Sequence, residues 1–272
     1  MDTDEEDLDT GHRFAVRRLF VRRIEVFRQQ VARERSEAVD IVARLLRETR
    51  REDIPTLAGH PELRTFGVLE RLISTGSAEL ARDPQYALLL AQLAVALSER
   101  LPAGAYYDST RAQARGRAWN ALGKTLSFLG RADEAVEAFE RAQTEIADHG
   151  LDHQRASIRF DLSIAYQRMD RHDEARALLP ECQEVFRRYG DTRMTVLAGI
   201  EEGHLLQRLR LHREAREVCL RLLSLHTELE PGHLAALHKV IGLCSIELGD
   251  YEDAERYLTN VVTIHQIGRA HV

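Results

Sequence analysis

Four alanines, Ala135, Ala175, Ala215 and Ala254, follow one another at steps of 40, 40 and 39 residues, and each has the same surroundings. Four residues on stand Phe139, Leu179, Cys219 and Leu258, and seven on stand Ala142, Cys182, Leu222 and Val261. Offsets of four and seven fall on one face of an α-helix. A period held through four copies implies a structural unit of about 40 residues. Such a unit cannot bury its apolar stripe alone and must stack on its neighbours.

Each unit holds a second helical stretch ahead of its alanine. In the first copy Trp119, Leu122 and Leu126 are the large apolar residues and Gly123 the small one, followed by Gly130 between the two helices. Small residues (Gly123, Ala135, Ala142) let two helices approach, and the large ones fill the space between them. Gly130 suits a turn that needs positive φ. Later copies keep this frame as Leu162, Ala165 and Tyr166, as Gly203 and Leu206, and as Ile241 and Gly242, with Ser163 in place of the close-packing glycine in the second. Asp170, Arg210 and Gly249 occupy the position of Gly130. Arginine tolerates the left-handed region poorly, so Arg210 predicts a different turn. Trp119→Ala is expected to cost about 3–5 kcal/mol if the ring is fully packed.

With Trp119, Leu122, Gly123, Ala135, Phe139 and Ala142 in register, residues 113–266 resemble a tetratricopeptide-repeat array of four units, with Leu126 where the family usually has Tyr. Units this much longer than the common 34 residues resemble those of kinesin light chains and of bacterial regulators whose helical repeats sense ligands or partner proteins. The resemblance implies an all-α fold, an α-α superhelix built as a right-handed solenoid of antiparallel helix pairs. It also implies a concave groove lined by the first helix of each pair.

The rest of the chain divides by composition. Residues 1–11 carry six acidic side chains and almost nothing apolar, which predicts a disordered tail. Residues 12–55 read as two N-terminal helices. The first interleaves Arg17, Arg18, Arg22 and Arg23 with Leu19, Phe20, Ile24 and Phe27, a basic amphipathic helix, and the second begins near Ser36. Residues 56–112 read as a divergent helical pair continuous with the solenoid, in which Pro84 opens a nearly all-apolar helix and Tyr106-Tyr107 are expected to pack over an inter-repeat seam, with a ligand edge as the alternative. Residues 267–272 leave the helical pattern and match the translation of a common sequencing adapter, so the natural protein is expected to continue past Gln266.

Chemistry is sparse. A net charge of −6 favours neither nucleic acid nor an acidic ligand globally. Cys182, Cys219 and Cys244 lie at core positions without paired spacing and read as buried thiols. There is no phosphate loop, serine elbow or His-Glu-x-x-His, so no catalytic residue, cofactor or metal is expected. His149 and His153 are four apart, but Gly150 between them breaks a shared helical face.

The face of the first helices turned from the core carries Arg117, Asn120 and Lys124, then Phe160, Ile164 and Gln167, then Ile200, His204 and Gln207, then Lys239 and Leu243. Cationic, amide and apolar groups together suit an extended or helical peptide of some acidic character. The family's carboxylate clamp has Lys before Asn, whereas here Asn120 precedes Lys124, so that clamp is not expected. No apolar run reaches the length of a membrane span, and a cytoplasmic, non-enzymatic protein-binding scaffold is the leading expectation. One alternative is the sensor arm of a larger signalling or transcription-regulating protein. A second is nucleic-acid or membrane-surface binding through the arginine-rich helix.

Overall fold

The computed structural model describes the backbone of residues 3–225 and 229–270 and the side chains of residues 21–225 and 229–266. The described residues are all-α, with no strand. They fall into two compact units, residues 1–125 and 126–272, and the division lies within one helix rather than at residue 112.

The first unit begins with α1, Thr3–Glu48, a single 46-residue helix. It stands where composition led us to expect a disordered tail and two separate helices. Arg13 to Glu48 contains neither Gly nor Pro, so nothing interrupts the i→i−4 ladder near Ser36. Two 3-10 stretches, Arg51–Gly59 and Pro61–Leu63, then lead to α2, Phe66–Glu79, and α3, Pro84–Ser98. Side-chain caps start both helices: Thr65 accepts from the Val68 amide and Asp83 from that of Tyr86. The hydrophobic cluster of this unit joins Ala38 and Val42 of α1 to Ile54, Leu63, Leu69, Leu72, Leu90 and Leu97. Ala114 and Ala118 complete it, with Trp119 and Leu122 against its edge. These four belong to α4, Asp108–Phe128, which is why the unit boundary falls inside that helix.

Trp119 is therefore only half-buried, against this cluster, and its enclosed Nε1 has no hydrogen-bond acceptor among the described residues. The cost of removing it falls below that of a fully packed ring.

The second unit runs through α5 (Ala132–Ile146), α6 (Asp152–Arg168), α7 (His172–Arg188), α8 (Thr192–Arg208), α9 (His212–Leu225), α10 (Pro231–Leu248) and α11 (Tyr251–Ala270). Each helix packs on the next, and first helices α8 and α10 also touch side by side. Core positions of the repeat frame are buried as the pattern requires: Ala135, Phe139 and Ala142, then Ala175, Leu179 and Cys182, then Ala215, Cys219 and Leu222. Gly203 and Gly242 permit the close approaches. A Cβ on Gly203 would lie 2.7 Å from Cys219 Sγ, and one on Gly242 2.7 Å from Leu258 Cγ. α11 continues to Ala270, past Gln266.

Arg210 overturns its expectation. It adopts φ +59°, like Gly130 (+75°), Asp170 (+57°) and Gly249 (+79°). The turn is the same in all four copies because the next amide donates back six residues inclusive. Arg131 reaches Leu126 O, Arg171 Tyr166 O, Leu211 Leu206 O and Asp250 Ser245 O, all at 2.9 Å. That closure satisfies helix-end carbonyls and imposes the left-handed residue regardless of its side chain.

Candidate functional site: the exposed face of the first helices

In the second unit the predicted groove residues separate into two groups. Phe160 and Ile200 are buried, in the clusters of Ala175 and Phe186 and of Ala215 and Leu237, so they build the core instead of lining a groove. Gln167 is buried as well, and its Oε1 accepts from Arg208 Nη2 at 2.7 Å. Ile164, His204, Gln207 and Leu243 remain partly exposed and Lys239 exposed. These five come from α6, α8 and α10.

Electrostatics on this face centre on His204. Burial lowers its pKa, Glu201 works against that shift, and the neighbouring Lys239 and Arg208 add to it. Lys239 and Arg208 thus stand close enough to His204 to disfavour a further positive charge. An anion placed there is met by two cations and a ring nitrogen.

A ladder that spacing had not revealed fixes the helix ends beside this face. Arg168 Nη1 donates to Ser127 O at 2.5 Å, and Arg208 makes the corresponding bond to Gln167, one repeat on in both donor and acceptor. Leu248 takes the next place, so Gln207 receives no such arginine. The 40-residue offset from Arg168 to Arg208 was the available signal.

In the first unit Arg117 does not face a groove freely. It shares the carboxylate of Glu70 with Arg35, whose Nε and Nη2 lie 2.6 and 3.1 Å from its oxygens. Glu70 is only 15% exposed. Burial raises its pKa, yet the Arg35 and Arg117 bonds outweigh this and hold it below the usual carboxylate value. Asn120 is partly exposed and Lys124 exposed on the same helix. Of the basic-helix candidates, Arg22 and Arg23 are exposed, Arg23 standing 5.9 Å from the centre of the Tyr107 ring. The side chains of Arg17 and Arg18 lie outside the described residues.

His153 is committed locally. Its Nε2 is 2.8 Å from Asp191 Oδ2, while the other oxygen of Asp191 caps α8 through the Met194 amide, 3.0 Å. The three cysteines are free and buried, and burial pushes Cys182 and Cys219 up to about 12 and Cys244 to about 11. Thiols held so far from ionisation are poor nucleophiles.

A family model of the tetratricopeptide repeat matches residues 114–188. Over this stretch the chain is similar to tetratricopeptide repeats. Solved structures extend the likeness of fold across most of the chain. The nearly identical TPR-like repeats assigned to a kinesin light chain of Podosopora anserina, in a single-residue variant, align at TM-score 0.62 with 17% identity over 78% of this chain and 100% of theirs. BtubC (BKLC) from P. vanneervenii aligns at 0.55, with 20% identity over 74% and 92%. MamA aligns at 0.50, with 18% identity over 72% and 96%. At such identities the likeness establishes the fold alone. No curated protein matches the sequence. Tetratricopeptide repeats are typically protein-interaction scaffolds, generally without catalytic machinery. No helix among the described residues is long and apolar enough to cross a membrane.

Proposed function

We infer that this protein is a non-enzymatic interaction scaffold, and that the exposed face of α6, α8 and α10 holds a peptide or protein segment with acidic character. The carrying observation is the set Ile164, His204, Gln207, Lys239 and Leu243: two apolar contacts, an amide with open bonding capacity, and a cation beside a titratable ring. An extended or helical segment can place one carboxylate against Lys239 and His204 while apolar side chains cover Ile164 and Leu243.

The test is a fluorescence-anisotropy screen of the full chain against a peptide library varied in charge. Acidic-apolar peptides should bind, and Lys239→Glu should weaken them at least tenfold with far-UV circular dichroism unchanged. The His204 resonance should titrate at higher pH in the complex, because a bound carboxylate favours the imidazolium. Selection of basic peptides, or binding indifferent to Lys239→Glu, would assign the ligand to another surface.

A further inference from the structure

A second surface lies on the other side of α8, and the groove reading does not use it. Helices α7 and α9 pack on α8 without packing extensively on each other, leaving a cleft of about 630 Å³ between them. Thr195, Glu202 and Leu206 of α8 form its floor. At ~100° per residue these three share one face of α8, and His204 and Gln207 lie far round the helix from it. The two surfaces are therefore separate.

The cleft has a definite chemistry. Four carboxylates line it, Glu184, Glu202, Glu214 and Glu217, against two guanidiniums, Arg187 and Arg221. Glu184 is held by Arg187 and Glu214 by Arg176 Nη2 of α7 at 2.7 Å, and Glu202 accepts from Gln183 Nε2 at 2.5 Å. Glu217 is exposed and makes no ion pair among the described residues. Between these acids lies the partly buried Val218, over the buried Leu206 and Leu222, with Leu225 at the rim 66% exposed. An acidic cleft with an apolar bottom calls for a helix that carries arginines around short aliphatic side chains.

This chain carries such a helix. The N-terminal part of α1 turns Phe27 and Val31 to the core of the first unit and leaves the other side open. That open side bears Val21, Arg22, Glu25, Val26, Arg28 and Arg33, all exposed, the two valines each by 59%. Three guanidiniums and one carboxylate around two valines complement a cleft whose four carboxylates outnumber the three guanidiniums at them, Arg176, Arg187 and Arg221, with Glu217 left unpaired among the described residues. We propose that the α7–α9 cleft receives the α1 arginine face of a second copy of this chain. Self-association through two different patches is heterologous: every copy offers one helix and one cleft.

Sedimentation velocity of the full chain tests this. The weight-average mass should rise with protein concentration. It should fall back to the monomer as salt shortens the screening length from about 10 Å at 0.1 M to about 3 Å at 1 M. The double variants Glu184→Arg/Glu217→Arg and Arg22→Glu/Arg33→Glu change exposed residues only, and each alone should be monomeric. Mixed together they should form a 1:1 complex, because the first retains an intact helix face and the second an intact cleft. A wild-type chain that stays monomeric, association that both variants retain, or a mixture that fails to associate overturns the proposal. Binding of a cationic partner protein to the cleft in a monomeric chain would assign that surface to a different occupant.

Discussion

The two units are both stacks of antiparallel helices, but different forces define them. In the second unit one local recipe recurs: a small residue at the crossing, an apolar stripe at offsets of four and seven, and a left-handed turn closed by the same 2.9 Å hydrogen bond. The first unit has no such recipe. Its long helix α1 is tied to α2 and α4 by particular polar groups. The Phe66 amide donates to both Glu34 Oε2 and the buried Tyr106 hydroxyl, each at 3.1 Å, and Glu70 bridges Arg35 and Arg117. Repetition makes the second unit tolerant of side-chain identity at any one position, since neighbouring interfaces carry similar energy. The first unit depends on single contacts without copies.

The contrast can be broken most forcefully in the two cores. Phe186 is fully buried, and Phe186→Ala should cost about 3–5 kcal/mol in chemical denaturation. Hydrogen exchange should show the lost protection centred on α6 to α8. Gly67→Ala should cost roughly 3 kcal/mol, because its Cβ would stand 2.3 Å from the Glu34 carbonyl oxygen and a helix backbone cannot step aside like a side-chain tip. Its deprotection should centre on α1 to α3. If both substitutions loosened the same helices equally, the distinction between the units would fail.

Glu70→Gln sharpens the electrostatic side. Its arginine partners are partly exposed, so solvent screening limits the loss to about 1–2 kcal/mol at neutral pH. The folded pKa of Glu70 is depressed, so its contribution is complete above the ordinary carboxylate value of 4.5 and is lost as pH falls through the lower folded value. The stability gap between wild type and variant should therefore close on acidification; a gap that held constant into strong acid would remove the ion pairs from the account. The smallest effect has the opposite sign. Arg210→Gly should stabilise the second unit by about 1 kcal/mol, by relieving a left-handed arginine at φ +59°. Calorimetry showing a lower melting temperature would mean that the Arg210 side chain, 3.8 Å from Glu247, matters more than its backbone.

Much of this is legible in the sequence. The frame around Ala135, Ala175, Ala215 and Ala254 located the helix pairs of the second unit, because burial at offsets of four and seven is local in the chain. The groove residues were read less well. Phe160 and Ile200 share the outward register with Ile164 and His204, yet both are buried in apolar clusters that join their own helix pair to the next first helix. Arg117 looked free because its partner Glu70 is 47 residues away. The turn at Arg210 was misjudged by weighing the residue alone, when the helix-end carbonyl of Leu206 decides its conformation.

By itself, then, the sequence determined the helical units, their period and their buried positions, since these follow from contacts three to seven residues apart. Tertiary structure alone decided which outward residues stay exposed, how Glu34, Glu70 and Tyr106 tie the first unit together, and that α7 and α9, bridged by Arg176 and Glu214, leave an acidic cleft over α8. Those outcomes depend on pairings tens of residues distant, where no local periodicity specifies the partner.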